Sequence, residues 1–183
     1  MKMPTKWFKN HGERTVNETA SALGFIFWKI SFDRLKSLRQ ADIGVFGSEQ
    51  SMGMLEEISI FLIHAADRII HENYSPEERA ELLQKIAMNV ADNYAGNALD
   101  AMGPGDHKNN FIKTLNERLS QYSAITGSGE ALRFSLTRTL GENAKSHVPE
   151  KDKPWVAQQL IEIEIPEIFG RFDKACQSLL TLR

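Results

Sequence analysis

The sequence predicts an all-α, single-domain antiparallel bundle of about six helices, and three observations predict it. Apolar residues recur at three- and four-residue spacing along most of the chain. Capping residues stand where those patterns begin, and Gly or Pro stands where they end. A composition of 42% apolar and 25% charged residues over 183 positions is that of one ordinary globular domain.

The first 16 residues are polar and basic around one aromatic pair, Trp7 and Phe8. They read as a flexible N-terminal arm ahead of a single helical domain over 17–183. Asn17 is the expected cap of a first helix running toward Gln40, with Phe25, Trp28, Phe32 and Leu35 as its buried stripe. Ile26, Trp28, Ile30 and Phe32 also alternate, which leaves a strand open over 25–32; the run from Arg34 to Arg39 continues helically and favours the helix. Gly44 and Gly47 mark a connection.

A second helix is expected from Ser48 to about Tyr74, with Leu55, Ile58, Leu62, Ala65 and Ile69 forming a bundle seam. Ile60, Phe61, Ile63 and Ile70 make its other faces apolar too, so it should be the central helix. Ser75, Pro76 and Glu78 then compose a capping box with proline at the first helical position. The helix they open carries Leu83, Ile86, Val90 and Tyr94, and should pair with the second as an antiparallel hairpin until Gly103 stops it.

Asp106 is the expected cap of a fourth helix bearing Phe111, Leu115, Leu119 and Tyr122, which Gly127 to Gly129 break. A fifth follows with Leu132, Leu136, Leu140 and Ala144, and Val148 to Lys153 reads as a polar loop. Asp152 should cap the last helix, Pro154 enters it, and Val156, Leu160 and Ile163 lead its apolar face. Pro166 forces that helix to kink before Ile168, Phe169 and Phe172.

The net charge of −2 is unevenly spread. Residues 1–40 hold eight Lys and Arg against three acids, a balance of +5, so the remainder stands at −7. A basic, aromatic start can pack on its own acidic half or touch an anionic surface; the first reading is the simpler. No run approaches the roughly 18 apolar residues of a membrane span, and no cleavable leader is evident after the short stretch from Leu23 to Trp28. The single cysteine, Cys176, reads as a small core residue, and the expected compartment is the cytoplasm.

One grouping invites a mechanistic argument. Glu57, His64 and His71 repeat every seven residues along one helical stripe, and Asp67 stands three past His64. Carboxylates and imidazoles so placed hold metals or cofactors in helical bundles, although the Glu-x-x-His order of di-iron bundles is absent. In the competing, structural reading, Asp67 and Arg68 pair with neighbouring helices while His64 donates a hydrogen bond at the core's edge. Glu162, Glu164 and Glu167 read as a solvated acidic face, and Glu117, Arg118 and Arg138 as surface charges.

No phosphate loop, dinucleotide fingerprint, zinc spacing or nucleophile elbow occurs. Only the segment from Lys29 to Arg39 comes near a basic recognition helix, and its apolar residues are better explained as core, so nucleic acid is not an expected partner. Three functions are left. The one the sequence favours is a non-enzymatic interaction or self-associating module, suggested by apolar surface at Phe61, Ile63 and Ile70 beyond what one chain would cover. The second is a metal- or small-cofactor-binding bundle with its site near Glu57, His64, Asp67 and His71. The third is peripheral membrane contact through residues 1–40.

Overall fold

Residues 15–180 are described by a computed structural model, and among them the chain is helical throughout, with short connections and no strand. Helix α1 spans Val16–Gln40. Its cap is Thr15 rather than Asn17: the Thr15 hydroxyl accepts the Glu18 N–H at 3.2 Å, and the Glu18 carboxylate accepts the Thr15 N–H at 3.0 Å. Asn17 has Ala20 three residues on, so only Thr15 has the acid that closes the box. Of the expected arm, only Thr15 and Val16 are described, and they belong to this helix; its remainder lies outside the described residues.

The stretch 25–32 is helical, but its buried face is not the expected one. Ala20, Leu23, Phe27, Ile30 and Leu38 enter the core with Trp28 and Leu35, whereas Phe25 and Phe32 point outward, 41% and 39% exposed. The aromatic spacing was a false guide because the smaller residues line the face that meets α3.

Helix α2 covers Ser48–Asn73. Every residue from Ser51 to His64 except Glu56 is buried, because α1, α3, α4 (His107–Ser123) and α5 (Gly129–Ala144) all pack on it. It is the central helix. Phe61, Ile63 and Ile70 are fully covered by this chain, so the apolar excess read from the sequence is absorbed internally.

Helix α3, Pro76–Met102, begins with the expected box: the Ser75 hydroxyl accepts the Glu78 N–H, and the Glu78 carboxylate accepts the Ser75 N–H. Only Tyr74 and Ser75 separate it from α2, and Arg79 reaches back to Asp67 across the turn. Gly103, at φ +82°, ends it in a conformation that side chains with a Cβ avoid. Helices α1 and α3 meet at Gly24, where an added Cβ would lie 2.7 Å from the Asn89 Cβ.

At the start of α4, the Asp106 carboxylate accepts from the Asn109 side chain at 2.8 Å and makes no bond to a backbone N–H of its helix. After α5 come two 3-10 turns, Lys145–His147 ahead of the expected loop and Glu150–Asp152 within it. Asp152 stands at the cap position of the helix that follows, as expected, but its side chain makes no bond to that helix. Its carboxylate accepts the Gly44 N–H at 3.0 Å and pins the α1–α2 connection to this corner.

The last helix is α6 (Lys153–Gln159), a π turn (Leu160–Glu164) and α7 (Ile165–Leu179) in unbroken succession. The break expected at Pro166 takes the form of this π turn. The Ile165 N–H bonds to Leu160 O, five residues back, and the widened turn accommodates a proline that has no N–H and would strike a regular helix. Ile163 is exposed there, not in the apolar face, and Glu164 turns inward. The core closes with Phe27 on Phe172 (5.5 Å), Phe61 edge-on to Tyr122 and Phe169, and Tyr94 on Phe111. No helix among the described residues is long and apolar enough to cross a membrane.

Candidate functional site

Glu57, His64, Asp67 and His71 share α2 but do not converge. Glu57 is 1% exposed and clamped by Arg118 of α4, whose Nε lies 3.0 Å from both carboxylate oxygens and whose Nη2 lies 2.6 Å from one. Burial alone would raise the Glu57 carboxyl, but the His147 ring at 3.6 Å and the Arg118 guanidinium outweigh it and hold that carboxyl below its usual range. Arg118 is therefore a buried-pair partner, not the surface charge that the sequence suggested.

His64 stacks on Tyr122 with ring centroids 5.1 Å apart, and its Nε2 accepts the Arg68 Nε–H at 3.0 Å. Burial and then the Arg68 charge push the imidazole down to about 4, so it is neutral near pH 7 and accepts where the structural reading had it donate. Asp67 takes two hydrogen bonds from Arg79 of α3, at 2.7 and 2.8 Å. His71 is exposed in the last turn. Among the described residues no three His, Cys, Asp or Glu side chains are grouped to hold a metal ion.

Around Glu57 lies a polar hub that the sequence did not reveal. Glu56 is pushed up to about 7, first by burial and then by Glu57 beside it, so it carries a proton over much of the neutral range. Burial and then the charge of Glu57 raise the Tyr122 phenol as well. Gly53 seats His147, since a Cβ there would overlap its ring. A second buried carboxylate, Glu164, is also no part of a solvated face. It accepts from Arg34 (3.2 Å), Ser37 (2.8 Å) and Gln159 (2.9 Å). Both assemblies tie helices together: their charged oxygens already have donors.

An open groove of about 450 Å³ lies where the α1–α2 connection meets α6 and the π turn. Asp42, Ile43, Trp155, Gln158, Glu162 and Ile163 line it, and Trp155 is 61% exposed. The indole is held outward because it sits in the first turn of α6 beside Pro154, off the stripe through Val156 and Leu160 that enters the core. That offset was present in the sequence as a signal. Among the described residues, Asp42 makes no side-chain hydrogen bond or ion pair, Glu162 meets only the Gln158 amide at 3.1 Å, and no Lys or Arg lines the groove.

No protein family matches the chain, and neither a curated protein nor a solved structure matches it.

Proposed function

We propose that the protein is a non-enzymatic helical interaction module that takes a basic segment of a protein partner in the groove beside Trp155. The observation that carries this reading is the exposed indole in a groove whose charged side chains, among the described residues, are all carboxylates. An indole face attracts Lys and Arg, the carboxylates of Asp42 and Glu162 complement their charge, and tryptophan is a preferred anchor of protein interfaces. Ile43 and Ile163 add apolar walls for the stem of such a side chain.

The carboxylates of Glu57 and Asp67 and the Nε2 of His64 are engaged by Arg118, Arg79 and Arg68, and the four residues do not converge, so the geometry lends no support to a cofactor held there. A cytoplasmic setting and a second copy of the chain as partner belong to this proposal; the free, buried thiol of Cys176 suits a reducing compartment.

Calorimetric titration with a short lysine-rich peptide carrying one aromatic residue tests the reading. Saturable binding is expected, weakened about tenfold or more by Trp155→Ala and less by Asp42→Asn. Equal affinity of the Trp155→Ala variant contradicts it.

A further inference from the structure

We infer that the outer face of α1 is a docking surface for an anionic lipid membrane. Phe25, Lys29, Phe32 and Lys36 follow one another at steps of four, three and four, which on a helix is a single stripe. The stripe points away from Leu23, Phe27 and Ile30, the residues α1 gives to the core. Both phenylalanines stay in solvent, and the Lys36 ammonium lies over the Phe32 ring, 4.9 Å from its centre.

The cations of this stripe are available, whereas the other cations of α1 are not. Arg34 is bound to Glu164, and Arg39 to Ser51 and the Val45 carbonyl. Lys29 makes no ion pair among the described residues. The acid nearest this stripe, Asp33, stands four residues past Lys29 and three before Lys36, and it is held by Arg171 at 2.7 Å; Glu18, two turns before Phe25, closes the capping box at the helix start.

Charge over the whole chain points the same way. Helix α1 itself holds four cations (Lys29, Arg34, Lys36, Arg39) against two acids (Glu18, Asp33), in a chain whose residues beyond 40 stand at −7, so an anionic surface is attracted to this helix more than to the rest. Phenylalanine between lysines is the chemistry of an interfacial helix: the rings enter the boundary between headgroups and acyl chains while the lysine stems reach back to the phosphates. Nucleic acid would use the lysines but leave the two phenylalanines unexplained. A face with two rings and two lysines binds weakly and reversibly, and in a salt-dependent way.

Flotation of the full chain with vesicles of phosphatidylcholine, alone or mixed with phosphatidylserine, tests the inference. The chain should float with the mixed vesicles, stay behind with phosphatidylcholine alone, and be released by high salt. Lys29→Glu with Lys36→Glu should lower the bound fraction more than about tenfold. Phe25→Ser with Phe32→Ser should lower it severalfold at unchanged circular dichroism, since neither ring is in the core. No flotation with the mixed vesicles, flotation indifferent to lipid charge, or flotation untouched by both pairs of substitutions overturns the inference. So does binding of a nucleic acid duplex that only the lysine pair abolishes, if the vesicles compete no better than free phosphate. The groove beside Trp155 plays no part in this test, and Trp155→Ala should float like the wild type.

Discussion

Glu57 is a carboxylate at the centre of a bundle, and its ionised state depends on Arg118. Removing one member of such a pair leaves an uncompensated buried charge, whereas replacing both by apolar groups is often tolerated. Arg118→Leu should therefore cost about 3–5 kcal/mol in urea unfolding, and Glu57→Leu with Arg118→Leu should recover most of it. A double variant as unstable as the single would mean that the pair does more than satisfy itself.

The neighbouring groups set opposing pH dependences. Between the usual carboxyl value of 4.5 and about 7, the native protein keeps a proton on Glu56 that the unfolded chain releases, so rising pH removes stability. Between 6.5 and about 4, the unfolded chain protonates a histidine that stays neutral when native, so falling pH removes stability. The two effects oppose each other where the windows overlap. Glu56→Gln should remove the first, so that unfolding free energy climbs with pH from about 4.5 to 6.5 with a limiting slope near 1.4 kcal/mol per unit. An unchanged profile would show that Glu56 is not the group that binds the proton. At this scale the sequence was informative only within one helix. Glu57 and His64 stood out as polar residues in an apolar helix, but Arg118 lies 61 residues from Glu57 and only tertiary packing joins them.

Two glycines separate local preference from packing at the level of the helices. Gly96 on α3 faces open space, so Gly96→Ala should stabilise by about 0.5–1 kcal/mol, the ordinary helical gain. Gly24 meets the backbone and Asn89 Cβ of α3, so Gly24→Ala should destabilise by about 1–3 kcal/mol despite the same intrinsic gain. Thermal unfolding of both variants checks the contrast, and equal shifts of the same sign would contradict it. The same distinction explains what could be read beforehand. The Ser75 box is a local signature and legible as such; the Thr15 box has the same form, and its Glu18 is what distinguishes it from the expected cap Asn17. The buried face of α1 is not encoded in its aromatic spacing: it depends on where α3 and α7 lie, and it takes Ala20 and Leu23 while leaving Phe25 and Phe32 exposed. Pro166 announced a break, but not that a π turn would form it or draw Glu164 onto Arg34 and Ser37. Glu164→Ala should leave those donors unpaired and lower stability by about 2–4 kcal/mol in the same unfolding experiment.

For the molecule as a whole, helix number and order were legible because caps, breaks and apolar periods agree over each segment. The groove was not. Asp42 and Trp155 are far apart in sequence, and the Asp152 carboxylate on the Gly44 N–H is what brings their segments together. The molecule carries three tryptophans: Trp28 is buried, Trp155 is exposed in the groove, and Trp7 lies outside the described residues. Their indole N–H resonances allow the central claim to be read directly in a ¹H–¹⁵N spectrum titrated with the lysine-rich aromatic peptide. The account predicts that the Trp155 indole resonance moves saturably, with Asp42 and Glu162 amides following it, while Trp28 stays in place. A Trp155 resonance that does not move while the peptide binds elsewhere would contradict the groove as the docking site.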